Sequence, residues 1–123
     1  MRYYQNINHI AAQRLIGYGG RAGRQGGPYG STGRNYVACR ILDVRDPEEY
    51  AKGHLLGAIN VPLHQIGRKV PYLMPNRYKP LLVYCGSGAR SLPAVQVLSV
   101  MGYQNLYNLY QGIDSWPYPL VRE

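Results

Sequence analysis

The stretch Leu81-Leu82-Val83-Tyr84-Cys85-Gly86-Ser87-Gly88-Ala89-Arg90-Ser91 decides the fold. Leu81–Tyr84 is a short apolar run and reads as a buried strand. Ser91–Met101 (SLPAVQVLSVM) reads as a helix, with Ser91 as its cap, Pro93 in its first turn and Gly102 at its end. Between them, Gly86 and Gly88 let the chain curl tightly. Strand, tight loop and helix place Cys85 at the carboxyl edge of a parallel sheet, where α/β proteins bind ligands.

Working outward, the same alternation repeats. Tyr3–Ile7 reads as an opening strand, and Asn8 caps a short helix over His9–Ile16. Tyr36–Val44 is β-branched and apolar and reads as a buried strand. Pro47–Lys52 has Pro at the first helical position and acids in the first turn, which suits the helix dipole. Ala58–Val61 is a short strand. Leu63–Val70 forms a short helix, followed by a connection containing Pro71, Pro75 and Pro80. Asn105–Leu109 is the last strand, and Gly112–Trp116 a closing helical turn. The expected class is α/β, with a mainly parallel five-stranded sheet flanked by helices in three layers.

The chain has 123 residues, about one domain's worth, and residues 1–123 are expected to form a single domain. It carries 14 Lys and Arg against 6 Asp and Glu, for a net charge of +8. Such a charge invites a nucleic-acid reading. Residues 1–40, however, hold six arginines and no acid, so the excess is mostly local. Gly17–Asn35 contains eight of the fifteen glycines and three of those arginines, and reads as a flexible insertion at 17–35. Single Arg-Gly steps without a repeat are a weak signal for nucleic-acid binding, so a flexible insertion is the preferred reading. No stretch approaches the roughly 18 apolar residues of a membrane span, and MRYYQNINHI lacks an apolar signal core. A soluble cytoplasmic protein without a membrane partner is expected. Tyr occurs 13 times and Phe never, a choice the sequence does not explain.

The two cysteines read differently. Gly86, Ser87, Gly88, Ala89 and Arg90 form a cradle of backbone N–H groups over a helix N-terminus, with a permanent cation at Arg90. Such surroundings favour thiolate over thiol, so Cys85 is the candidate catalytic nucleophile and residues 86–90 the candidate substrate-binding loop. Cys39 sits inside an expected buried strand and reads as packing. Neither belongs to a C-x-x-C or a Cys/His cluster, so no metal site and no cofactor are expected.

The segment Ile41–Trp116 resembles a single-domain rhodanese, of the sulfurtransferase family. Asp43-Val44-Arg45 followed by Glu49-Tyr50 resembles the family's D-V-R…E-F motif. Gly53-His54-Leu55-Leu56-Gly57-Ala58-Ile59-Asn60-Val61-Pro62 resembles its G-H-I-x-G-A-x-N-[IV]-P motif. Cys85–Ser91 resembles its C-x-x-G-x-R-S active-site loop, and Leu109–Trp116 its terminal L-x-G-G-x-x-x-W element. The resemblance implies that the Cys85 thiolate takes a sulfane sulfur from thiosulfate or a related small anionic donor. The resulting persulfide passes to cyanide or a thiol, and Arg90 binds the donor. Asp43, Arg45 and Glu49 are expected to form a structural polar cluster, and His54 to be a satisfied structural histidine.

Three departures from the family pattern stand out. Gln111-Gly112 replaces the terminal glycine pair, the insertion at 17–35 is long, and Gly86 and Ser87 are neutral where thiosulfate loops often carry a base. Glu49 stands where mercaptopyruvate enzymes carry an arginine, which argues against a carboxylate substrate. A phosphatase or arsenate reductase is a weaker reading, because such loops run C-x5-R and this one runs C-x4-R. A persulfide carrier that delivers sulfur to a protein partner is the reading from another class.

Overall fold

The computed structural model describes residues 3–17 and 39–122. Most of the 17–35 insertion, and Tyr36–Ala38 of the expected second strand, lie outside those residues.

Among the described residues a five-stranded, all-parallel sheet runs in the order β1-β5-β4-β2-β3. Its strands are β1 (Tyr4–Ile7), β2 (Arg40–Asp43), β3 (Ile59–Asn60), β4 (Leu81–Tyr84) and β5 (Leu106–Leu109). The helices are α1 (His9–Ile16), α2 (Pro47–Lys52), α3 (Ile66–Leu73) and α4 (Ser91–Val100). The architecture is therefore α/β, as the alternation predicts.

β4 lies in the middle, paired to β2 on one side and β5 on the other. All four of its residues are fully buried, which is why the sequence shows an unbroken apolar run there. Side chains alternate across the sheet. Leu81, Val83 and Cys85 face Ile66 and Val70 of α3 and Ala94, Val95 and Leu98 of α4. Leu82 and Tyr84 face the opposite layer, with Ala12 and Ile16 of α1, Leu55, Ala58 and Ile113. The core thus has two halves separated by the sheet. Truncating Leu82 to alanine at this depth costs about 2–5 kcal/mol.

Local signals explain most element ends. Asn8 Oδ1 accepts the Ala11 N–H at 2.9 Å and starts α1. Pro47 opens α2, and the Asp46 N–H donates to Glu49 Oε1 at 3.0 Å, half of a capping box. Two ends differ from expectation. Leu63–Gln65 is a 3-10 turn, and α3 starts at Ile66 and runs to Leu73 with Pro71 inside it. The proline removes one intrahelical donor but the helix lasts only two residues beyond it, closed by Met74 N–H on Val70 C=O at 2.7 Å. Gly112–Trp116 is a closing turn, with Trp116 N–H on Ile113 C=O at 3.0 Å.

Candidate active site

The site follows from the strand order. After β2 the chain leaves through α2 toward β3, on one side. After β4 it leaves through α4 toward β5, on the other side. The crevice between the carboxyl ends of β2 and β4 is the switch point of the sheet. Cys85 follows β4 directly and borders that crevice.

Because Cys85 continues the Leu81–Val83 alternation, its thiol points toward the layer that holds α4. Its Sγ accepts three backbone N–H groups: Gly88 at 3.1 Å, Arg90 at 3.2 Å and Ser91 at 3.2 Å. Arg90 is the cap position of α4 and Ser91 its first residue. The sulfur therefore satisfies N–H groups at the open end of the helix. Ser91 is the first helical residue rather than the cap the sequence suggests. It is fully buried inside the helix, with its hydroxyl 3.5 Å from the Gly88 carbonyl. Three aligned donors and the positive end of a helix all favour negative charge on this sulfur.

Of the loop residues expected to bind substrate, Gly88 and Arg90 point their N–H groups at the sulfur. Gly86 is buried, while Ser87 and Ala89 are exposed, and none of these three donates to Sγ. Ser91, which was expected only to cap the helix, is the third donor.

The loop is clamped from beyond β5. Ile113 N–H donates to the Cys85 carbonyl at 3.0 Å and Asp114 N–H to the Gly86 carbonyl at 2.9 Å. Gly88 has φ +100, and a Cβ there would collide with the Tyr110 carbonyl. Gly112 has φ +72, and a Cβ there would collide with the Gly86 carbonyl. Both positions require glycine on two independent grounds. Gln111, the departure in this element, has its own use: its Oε1 accepts the His9 N–H at 2.8 Å. His9 Nε2 lies 2.9 Å from the Gly112 carbonyl, so α1 and the clamp are tied together.

The opposite wall of the crevice is built on β2. Asp43 accepts from Arg45 N–H, Nε and Nη2, and Arg45 Nη2 also donates to the Gly53 carbonyl at 2.7 Å. Asn60 Nδ2 donates to the Asp43 and Arg45 carbonyls. This buried lattice fixes the turn into α2. Glu49 does not join it, contrary to expectation. Its carboxylate reaches across the crevice and takes Arg90 in a bidentate pair, Nη1 to Oε1 at 2.7 Å and Nη2 to Oε2 at 2.9 Å. The Arg90 hydrogen bonds hold the Glu49 carboxyl down at about 2, and Glu49 in turn raises Arg90. Sequence reasoning missed this pair because its members lie 41 residues apart.

His54 is structural, as expected. It is buried, its Nδ1 lies 2.7 Å from the Tyr50 carbonyl, and its ring stacks on Tyr50 at 3.6 Å. Cys39 precedes β2 at the amino edge of the sheet and packs on the α1 side. The parallel register sets it roughly 16 Å from Cys85 along the strands. No disulfide between them is possible in this fold. Burial pushes the Cys39 thiol up to about 12.

Among the described residues no group of three or more His, Cys, Asp and Glu side chains is placed to hold a metal ion. No described helix is long and apolar enough to cross a membrane.

Comparison with known proteins places this geometry in a family. Residues 32–117 match the rhodanese-like domain model. The chain is 39% identical over 87 residues to the thiosulfate sulfurtransferase PspE of Escherichia coli, covering 71% of this chain and 83% of that protein. It is 37% identical over 81 residues to the uncharacterized protein YqhL of Bacillus subtilis, covering 66% of this chain and 63% of that one. The chain thus spans less than two thirds of the latter's length. The crystal structure of a rhodanese-related protein from Thermoplasma volcanium superposes with a TM-score of 0.72 at 30% identity, covering 98% of this chain and all of that one.

Proposed function

The chain belongs to the rhodanese-like domain family, and from that premise we propose that it is a sulfurtransferase in which Cys85 carries the sulfur. The observation that carries the reading is the trio of N–H groups from Gly88, Arg90 and Ser91 on Cys85 Sγ at 3.1–3.2 Å. They stabilise negative charge on the attacking sulfur, and they cost no reorganisation when the reaction begins.

The Cys85 thiolate attacks the outer sulfur of a sulfane donor such as thiosulfate. The S–S bond of the donor breaks, and sulfite leaves with the bonding electron pair. A persulfide remains on Cys85. A thiolate or cyanide then attacks its outer sulfur, and the Cys85 thiolate leaves. Charge and electrons balance in both steps without a cofactor. Cys85 has 0% exposure, so the approach to its sulfur is narrow. A slim terminal sulfur suits that approach better than a tetrahedral phosphate ester. Cys39 is too remote to resolve the persulfide, so the acceptor comes from outside. Soluble cytoplasmic action, a single domain over 1–123 and the absence of a nucleic-acid role complete the reading.

Intact-mass analysis after thiosulfate treatment tests it. The protein should gain one sulfur, and the Cys85→Ser variant none. Normal thiosulfate:cyanide turnover in Cys85→Ser would overturn the mechanism, as would substantial Cys85-dependent hydrolysis of an aryl phosphate.

A further inference from the structure

Arg90 is the cation that the active-site loop itself supplies, yet its charge is already matched. Both of its terminal nitrogens are engaged by Glu49, at 2.7 and 2.9 Å. Glu49 is fixed from its own side as well. It is the third residue of α2, and its Oε1 also accepts the Asp46 N–H at 3.0 Å. The pair stands at the rim, with the two side chains 35% and 37% exposed.

The surroundings add negative charge rather than positive. A Cβ on Gly86 would lie 3.1 Å from both Asp114 carboxylate oxygens and 3.3 Å from Arg90 Nη2, so those groups meet at the same side of the loop. Asp46 also acts on Arg90 through space. Arg45, which also acts on Glu49 through space, is itself matched by Asp43 and bonded to the Gly53 carbonyl. One guanidinium therefore confronts Glu49, Asp46 and Asp114. What remains to attract an anion is the set of backbone N–H dipoles around Cys85. Their reach is short, and a doubly charged donor must first pass the carboxylates.

We infer that Glu49 is a positioning residue that sets donor choice: by locking Arg90 it turns the crevice away from dianionic donors such as thiosulfate and toward thiol persulfides, R–S–SH. The inference rests on the sulfurtransferase reading and sharpens its substrate class. In the favoured step the Cys85 thiolate attacks the outer sulfur of R–S–SH. The donor S–S bond breaks, and R–S⁻ leaves with the electron pair. The transferred sulfur keeps its proton as Cys85–S–SH, and no oxidant or reductant is consumed.

The test compares kcat/KM for thiosulfate with kcat/KM for cysteine persulfide, whose carrier is zwitterionic. Glu49→Gln keeps the shape of the side chain and releases the Arg90 charge. The ratio of thiosulfate to persulfide kcat/KM should rise about tenfold, through a lower thiosulfate KM rather than a higher kcat. Asp114→Asn should move the ratio the same way by a smaller factor. An unchanged ratio, or a kcat lost equally for both donors, would show that Glu49 merely braces the loop and overturn the inference alone. A wild-type protein whose Cys85 takes sulfur from neither donor would overturn the proposed function and this inference with it.

Discussion

The two edges of the sheet each carry one cysteine, and they differ in almost everything else. At the carboxyl edge, Cys85 meets three converging N–H groups and a helix N-terminus. At the amino edge, Cys39 meets apolar side chains, and its thiol donates to the Arg40 carbonyl at 3.4 Å. Cys85 is fully buried and Cys39 half-buried. On the proposed reading, burial alone does not decide whether a cysteine reacts; the direction of the surrounding backbone dipoles does. In a parallel sheet, the loops that open toward helix N-termini gather at one edge only.

The sharpest way to break the contrast is to remove each thiol in turn. Cys85→Ser should lower sulfur transfer by more than about 10³-fold, because an alkoxide neither forms nor releases a sulfur chain as a thiolate does. Cys39→Ser should stay within about twofold in steady-state rates. Comparable losses in the two variants would erase the distinction.

Next comes the loop that supplies the dipoles. Gly88→Ala puts a Cβ into the Tyr110 carbonyl at a backbone angle that L-residues avoid. Activity should fall about 10²-fold as the N–H at position 88 leaves the sulfur, with about 1–3 kcal/mol lost in a urea titration. A fully active Gly88→Ala would mean that the nest is dispensable.

Arg90→Ala is a smaller perturbation. It leaves the backbone N–H in place and exposes the Glu49 carboxylate. The KM for thiosulfate should rise about tenfold, with kcat changed less. An unaltered KM would show that the Glu49 charge does not reach the donor.

The smallest effect concerns stability. Glu49 has its folded pKa lowered to about 2, so the pair stabilises the fold above the ordinary carboxylate range and loses that contribution as pH falls toward 2. More than a third of the Glu49 side chain is exposed, so the amount is below about 1 kcal/mol. The urea midpoint of Glu49→Gln should lie slightly below wild type at pH 7 and converge with it on acidification. A gap that widens with acid would contradict the sign.

How much of this was legible in the sequence depends on the range of the interaction. α1, α2 and β4 lie where caps, proline and apolar runs place them, because those signals act within a few residues. β3 shrinks to Ile59–Asn60 because only two residues find partners on β2. Ser91 is not the cap but the first residue of α4, and its N–H goes to a sulfur six residues upstream that arrives from the strand. The motif residues around Cys85 put it directly after β4, where the structure has it, but the partner of Arg90 could not be read locally. Glu49 sits on α2, Arg90 at the start of α4, and only the strand order brings them across one crevice. The same holds for Asp114 and the clamp from Gly112. The glycine-rich segment, which holds three of the six arginines before residue 41, lies almost wholly outside the described residues, so its charge has no place in the account of the site.

The most direct measurement is peptide-level mapping of the sulfur after treatment with a sulfane donor. Digestion and mass analysis should find one added sulfur on the peptide that contains Cys85, and none on the peptide that contains Cys39. Sulfur on the Cys39 peptide, or none on the Cys85 peptide, would contradict the claim that the carboxyl-edge nest makes Cys85 the carrier.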